Sequence, residues 1–212
     1  MASAREHDDV GDLEAWRAGD RSAGERLFAR YYDAVARFFV NKIGDASPDL
    51  IQRTFLGCVE GLVNFRGEGS FRSYLFAIAY RQLCRHYRDR ASDRLDPAQD
   101  SVIALDPSIC GVMVEREQLR LFMAALRELP LELQAVLELH YWEECSVAEI
   151  AVAVEIPEGT VKSRLRRGRE QLSAAVERLA ANPDLAKSTV HGFETWARDV
   201  RDRRMHEPGR KS

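Results

Sequence analysis

Long apolar runs are missing from this chain of 212 residues. A membrane-spanning helix needs roughly 18 or more consecutive apolar residues, and no stretch of the sequence approaches that length. The N-terminal stretch MASAREHDDVGD is acidic and has no apolar centre, which is not the pattern of a secretory signal peptide. We therefore expect a cytoplasmic protein with no membrane span.

Cysteines are few and widely spaced. The four of them, Cys58, Cys84, Cys110 and Cys145, include no CxxC pair, and the neighbouring histidines complete no set at zinc-like spacing. A disulfide framework is not expected in a reducing compartment. We therefore expect ordinary thiols in helices, with neither a metal site nor a cofactor.

Strand-like alternation of apolar and polar residues is also absent, and apolar residues recur instead at helical spacing. A helical face between residues 23 and 43 is followed by Gly44, which predicts the end of that helix. Pro48 and Asp49 then predict the first turn of the next helix, because both residue types suit that position. The expected fold class is all-α.

A segment with little helical periodicity divides the chain. Residues 93–114 contain two prolines and carry four aspartates against one arginine, which predicts a flexible acidic linker between two small helical domains. It is either a plain tether or an acidic strand that could occupy a nucleic-acid channel. The predicted parts are a frayed acidic arm over 1–21, a first domain over 22–92, the linker over 93–114, a second domain over 115–181 and a C-terminal extension of unknown role over 182–212.

The most informative stretch, residues 146–172, predicts two helices joined by a tight turn at Pro157. The second helix carries basic and hydroxyl side chains opposite its apolar side, which is typical of a helix-turn-helix that faces a major groove. A solvated surface helix is the alternative. The apolar positions form one stripe and are Val161, Leu165, Gly168 and Leu172.

A second basic region lies in the first domain. The stretch NFRGEGSFRS, residues 64–73, places aromatic side chains and arginines around two glycines, and more arginines follow on the next predicted helix, Phe71 to Arg90. Arginines hold phosphates, and aromatic faces stack on unpaired bases. The alternative is that these aromatics belong to the core. That reading is favoured for Phe76 and Tyr80 and is weaker for Phe65 and Phe71.

The order of these parts resembles the extracytoplasmic-function sigma factors of bacterial RNA polymerase, over roughly residues 27–179. In the second domain the resemblance rests on Leu129-Pro130, on EIA at 149–151 and on GTVKSRL at 159–165. In the first domain it rests on DLIQ at 49–52 followed by Phe55, and on FRGEGSFRSYLFAIAYRQLCRHYR at 65–88.

The resemblance implies a non-enzymatic, alternative sigma factor that directs core RNA polymerase to particular promoters through their −10 and −35 elements. The implied partners are core polymerase, through its β′ clamp and β flap, promoter DNA and an anti-sigma factor. The implied −35 contacts are Thr160, Lys162, Ser163, Arg164, Arg166 and Arg167. The implied −10 contacts are Asn64, Phe65, Arg66, Phe71, Arg72, Tyr74, Arg81, Arg85 and Arg88. The implied polymerase contacts are Asp49, Gln52 and Arg53.

A stand-alone helix-turn-helix regulator is the alternative function, with N-terminal helices that sense a ligand or dimerise. It explains the second domain equally well, but it does not explain an arginine-rich aromatic loop in the first. A helical adaptor protein is the third class, and it predicts no basic recognition face.

Overall fold

The structure is a computed structural model that describes residues 4–62, 65, 69–93 and 117–191. Within those ranges the regular structure is entirely helical, which confirms the all-α prediction. The first four α-helices of the described residues make one compact unit, and most of the residues in the α-helices that follow make the other. The helices are α1 Ala4–Arg17, α2 Arg21–Ile43, α3 Ser47–Gly61, α4 Phe71–Asp93, α5 Glu117–Arg127, α6 Leu131–Tyr141, α7 Val147–Ala153, α8 Glu158–Leu179 and α9 Pro183–His191.

The boundary between α2 and α3 follows the local sequence. Gly44 ends α2 with φ 53° and ψ −119°, a conformation that L side chains rarely adopt, and its N–H donates to the Val40 carbonyl. Pro48 lies in the first turn of α3, where its missing N–H costs no helical hydrogen bond. Asp49 is in the same turn, where a negative charge suits the helix dipole. Both predictions at this boundary are confirmed.

Aromatic rings fill the core of the first unit. Phe38, Phe39 and Phe76 are at most 2% exposed, and the rings of Phe38 and Phe76 meet edge to face with centroids 5.7 Å apart. Burying a side chain of this size contributes about 1.5–3 kcal/mol. This core holds α2 and α4 together.

The N-terminal segment differs from the frayed arm that its acidity predicted. Residues from Ala4 onward form α1, which packs on α2. Asp9 is 3% exposed and accepts hydrogen bonds from Arg30 and Tyr31. Asp12 accepts from Arg30 at 2.9 Å and from a second arginine of α2. The acidic residues therefore dock α1 on basic residues of α2 instead of repelling one another in solvent.

The second unit is centred on α6 and α8. Phe122, Leu126 and Leu139 are at most 2% exposed and form part of its core. Gly168 allows α8 to approach α6 closely, because a Cβ at that position would lie 3.1 Å from the Leu137 side chain. The predicted apolar stripe is confirmed as the buried face of α8: Val161, Leu165, Gly168 and Leu172.

A further helix, α9, follows Asn182. The Asn182 side chain accepts the N–H of Leu185 at 2.8 Å and caps α9, which packs against α5 and α8. Ala186 is 6% exposed in this packing. Residues 94–114 of the predicted linker and residues 192–212 of the predicted C-terminal extension lie outside the described residues.

The sequence predicts neither a membrane span nor a metal site. No helix among the described residues is long and apolar enough to cross a membrane. In the same part of the chain, no group of three or more His, Cys, Asp or Glu side chains could hold a metal ion.

Candidate nucleic-acid and polymerase interfaces

A capping box starts the helix-turn-helix. The Ser146 hydroxyl accepts the N–H of Glu149 at 3.2 Å, and the Glu149 carboxylate accepts the N–H of Ser146 at 2.9 Å. This reciprocal pair satisfies two backbone donors that the first turn of α7 cannot use. It supports α7 although that helix has only seven residues, too few to be stable alone.

The turn after α7 sets the start of α8. Pro157 lies at the N-cap with φ −60° and ψ 147°, so α8 begins immediately after it, as predicted. The N–H groups of Thr160 and Val161 donate to the Pro157 carbonyl at 2.9 and 3.1 Å. Burial of Val161 and the stripe that follows it then fixes which side of α8 faces outward.

The outward side of α8 carries exposed cations. Lys162, Arg166 and Arg167 are exposed. Arg166 pairs with Glu170 one turn later at 2.8 Å. Lys162 and Arg167 form no ion pair with any residue that the structure describes. An exposed pair within one helix contributes little, so a phosphate could replace Glu170 as the partner of Arg166 at small cost.

Three other residues predicted to contact the −35 element are less exposed. Thr160 and Ser163 are half-buried, and the Ser163 hydroxyl donates to the Thr160 carbonyl at 2.9 Å. The Arg164 side chain is 17% exposed and pairs with Glu132 of α6 at 2.7 Å. Arg164 therefore links α8 to α6, and any DNA contact that it makes competes with that ion pair.

The aromatic residues of the −10 region lie deeper than expected. Phe65 is 9% exposed and Phe71 is 3% exposed. Phe65 stacks on Tyr74 with ring centroids 4.4 Å apart, and Phe71 packs against Tyr31 at 5.6 Å. The interpretation of these two rings as accessible stacking faces is therefore corrected: in this structure they belong to the packing of the first unit.

Tyr74 is the accessible ring of this region. It is half-buried, and its hydroxyl donates to the Cys58 carbonyl at 3.5 Å. The hydroxyl lies so close to Gly61 that any larger residue there would overlap it. Burial raises the pKa of the Tyr74 hydroxyl, so it remains a hydrogen-bond donor at neutral pH.

A row of cations continues along α4. Arg81, Arg85 and Arg88 are exposed, and Arg72 is half-buried. Arg85 lies 3.7 Å from Asp89, and the Arg88 guanidinium donates to the Cys84 carbonyl at 3.4 Å. The other two residues predicted to contact the −10 element, Asn64 and Arg66, lie outside the described residues.

The outer face of α3 holds the predicted polymerase contacts. Asp49, Gln52 and Arg53 are exposed, with a 3.0 Å ion pair between Asp49 and Arg53. Leu56 and Val59 continue the same face and are 54% and 47% exposed.

The sequence interpretation did not include Leu56 and Val59 in this face. The missed signal was spacing, because positions three or four residues apart from Asp49 onward share one helical face. The inner face of α3 is filled without them, by Leu50, Ile51, Thr54 and Cys58.

A two-unit helical protein with exposed cations on both units is of the class that suits nucleic-acid binding. Comparison with known families is consistent with that class. A model described as Sigma-70 region 2 matches residues 27–93, and one described as Sigma-70, region 4 matches residues 119–172.

Several relatives share most of the chain. The ECF RNA polymerase sigma-E factor of Haemophilus influenzae is 26% identical over 181 residues, covering 79% of this chain and 94% of that protein. The RNA polymerase sigma-H factor of Pseudomonas aeruginosa is 29% identical over 182 residues, covering 79% and 93%. This chain belongs to the extracytoplasmic-function branch of the sigma-70 family.

Solved structures show the same fold. The sigma factor RpoE of Bartonella quintana, solved in complex with the anti-sigma factor NepR, has a TM-score of 0.62 at 21% identity and covers 72% of this chain and 96% of its own. CnrH, solved with the cytosolic domain of CnrY, has a TM-score of 0.59 at 22% identity and covers 81% and 98%.

Proposed function

We propose that this protein is an alternative sigma factor that binds core RNA polymerase and directs it to particular promoters to start transcription. The observation that carries the proposal is the coexistence of three surfaces in one chain. One is the cationic helix-turn-helix, another is the arginine-rich face of α4 beside Tyr74, and the third is the partly apolar face of α3.

The recognition helix α8 supplies the −35 contacts. Arg166 and Arg167 would face base edges, where a bidentate arginine–guanine pair is worth about 1–3 kcal/mol of discrimination. Lys162, with no ion-pair partner among the described residues, suits a phosphate contact, which adds salt-dependent affinity but reads no sequence. Thr160 and Ser163 would contribute from the N-terminal turns of the helix.

The first unit engages the −10 element as an unpaired strand. Taking a base out of the duplex costs a few kcal/mol, which stacking and phosphate contacts can offset. With Phe65 and Phe71 buried, Tyr74 is the ring positioned to meet a base. Arg72, Arg81, Arg85 and Arg88 would hold the phosphates, and Asn64 and Arg66 remain predictions from the sequence.

The face of α3 docks on polymerase. Asp49, Gln52 and Arg53 supply the polar contacts to the β′ clamp, and Leu56 and Val59 supply apolar surface that water otherwise covers. Exposed apolar side chains beside polar ones are typical of protein interfaces. The second unit would meet the β flap.

No catalytic step belongs to this function, and no cofactor is needed for it. The protein would act in the cytoplasm, where its polymerase partner works. Two structural neighbours were solved with protein partners, NepR and CnrY, and NepR is an anti-sigma factor. An anti-sigma factor is therefore the regulator that we propose for this chain.

Run-off transcription on genomic DNA with core polymerase tests the proposal. Wild-type protein should start transcription at a discrete set of promoters, and Arg167→Ala should reduce specific initiation about tenfold while core binding is retained. Arg178→Ala is the control, because it removes an exposed cation from the same face of α8 three turns later; it also removes an exposed ion pair with Glu128 of α5, which contributes little to stability. It should initiate as wild type does.

Equal loss of initiation and core binding in Arg167→Ala would mean that the residue only supports the fold. The stand-alone regulator makes the opposite prediction for the wild type: it should footprint duplex DNA without polymerase. A footprint in the absence of core enzyme, together with no effect on run-off transcription, would replace the sigma-factor proposal.

The polymerase surface has its own test. Asp49→Ala combined with Gln52→Ala should weaken binding to core enzyme at least about tenfold. Leu56→Ala should also weaken binding to core enzyme, because it removes apolar contact area from the same face of α3. Glu25→Ala, an exposed acid of α2, is the control. Unaltered pull-down of core polymerase by the α3 variants would contradict this assignment.

A further inference from the structure

Residues of α1, of the segment before α4 and of α4 itself meet around the ring of Phe65. Arg17, the last residue of α1, holds its guanidinium carbon 5.3 Å from the centroid of the Phe65 ring. Phe65 in turn stacks on Tyr74 of α4 with centroids 4.4 Å apart. A guanidinium over an aromatic ring within about 6 Å is a cation–π contact. α1 therefore reaches the same small region as α4.

Phe65 has no face left for a base. Tyr74 stacks on its ring, Arg17 lies over it, and the residue is only 9% exposed. Arg17 itself is exposed. Around this ring, the described groups that can meet a ligand are the Arg17 guanidinium and the half-buried Tyr74.

The charges of Arg17 and of Arg81 in α4 both act on the Tyr74 hydroxyl. Burial raises the pKa of the Tyr74 hydroxyl, and the nearby charges of Arg81 and Arg17 partly offset that increase. Both guanidiniums are therefore within electrostatic reach of one hydroxyl. Two cations beside a half-buried ring are the arrangement that binds a nucleic-acid backbone while a base stacks.

The position of Arg17 is preorganised. The docking of α1 on α2 involves Asp9 and Asp12, which accept hydrogen bonds from Arg30. Trp16, adjacent to Arg17, packs over Gly24 so closely that a Cβ there would lie 2.7 Å from its ring. A cation held in place before binding loses less conformational entropy when it meets a phosphate.

We propose that Arg17 is a further contact to the −10 element, and that it binds a backbone phosphate of the unpaired strand beside Tyr74. The inference rests on the proposed function. It adds a residue that lies before the segment matched by the region 2 model, residues 27–93.

The test measures binding of the full-length protein, with core polymerase, to a fluorescently labelled single strand. The strand carries the −10 sequence of the strongest start site found by run-off transcription. Arg17→Gln should bind about three- to tenfold more weakly, and the slope of log affinity against log salt should fall by about 0.7, the value for one phosphate on a single strand. Arg17→Lys should recover most of the affinity and the slope, because it keeps the charge.

Arg21→Gln is the matched control, since Arg21 is an exposed arginine at the start of α2. It should bind as wild type does. Wild-type affinity and slope in Arg17→Gln would overturn the inference alone. Weaker binding with an unchanged slope would also overturn it, because Arg17 would then act only through packing on Phe65. No binding by the wild type would overturn the proposed function itself.

Discussion

Arginines of one chain have different roles because their partners differ. Arg164 and Arg167 are three positions apart on α8, but Arg164 is largely buried against Glu132, whereas Arg167 is exposed and forms no ion pair among the described residues. Removing Arg164 would leave Glu132 without its partner, and removing Arg167 would leave the fold intact. The ion pair with Glu132 is therefore what makes a substitution of Arg164 affect stability, and its absence at Arg167 leaves DNA binding as the property that changes.

The contribution of Asp12 to stability also depends on its partners, which are arginines of another helix. The hydrogen bond from Arg26, assisted by Arg30, holds the pKa of Asp12 below its ordinary value of 3.8. A carboxylate with a lowered pKa in the folded state contributes stability above the unfolded pKa, and this contribution is lost as the pH falls through the folded pKa.

We expect Asp12→Asn to lower the free energy of unfolding at pH 7 by about 1 kcal/mol, because a charge-assisted hydrogen bond is replaced by a weaker one. The difference from wild type should begin to shrink below about pH 4, where the carboxyl of the unfolded chain takes up a proton, and should disappear once the pH has fallen below the lowered pKa of the folded carboxyl. Urea unfolding at pH 7 and pH 3 measures both values. A deficit of equal size at the two pH values would mean that packing, not charge, is responsible.

At the scale of elements, α9 changes the interpretation of the C-terminal region. It is capped by Asn182, buries Ala186 and Thr189, and packs on α5 and α8. It therefore belongs to the unit that carries the recognition helix, whereas the sequence interpretation placed the domain boundary before it.

Truncation after Ala181 should consequently destabilise the second unit, by roughly 1–3 kcal/mol for the apolar surface that is uncovered. Truncation after His191, which keeps α9 whole, should lower the melting temperature of that unit less than truncation after Ala181 does. Thermal unfolding followed by circular dichroism compares the two. Equal melting temperatures for both truncations would mean that α9 contributes nothing to the unit.

At the scale of the whole molecule, each surface that we propose to face DNA lies within its own unit. The first unit has an aromatic core around Phe38 and Phe76, and the second has a separate core around Phe122 and Leu139. A substitution in one core should therefore impair one promoter contact before the other. The acidic linker between the units, residues 93–114 in the sequence, remains a prediction of composition.

Replacing Asp96, Asp100 and Asp106 with serine tests whether that acidity matters. If the linker occupies a nucleic-acid channel of polymerase, the ratio of abortive to full-length transcripts should change while core binding remains as in wild type. In vitro transcription on one promoter measures this ratio. An unchanged ratio would identify the linker as a tether.

Much of this protein is determined locally by its sequence. The stripe from Val161 to Leu172, the helix end at Gly44 and the helix start after Pro157 all follow from spacing and backbone preference, which depend on neighbouring residues. The all-α class and the helix-turn-helix were therefore predictable.

Only the tertiary structure decided which residues meet across distance. Asp9 meets Arg30 over 21 positions and Arg164 meets Glu132 over 32, and no local pattern predicts such partners. The same reason explains why Phe65 and Phe71 are buried, why Val59 is exposed, and why α1 is docked rather than frayed. Periodicity places a residue on a face of its helix, but tertiary packing decides what covers that face.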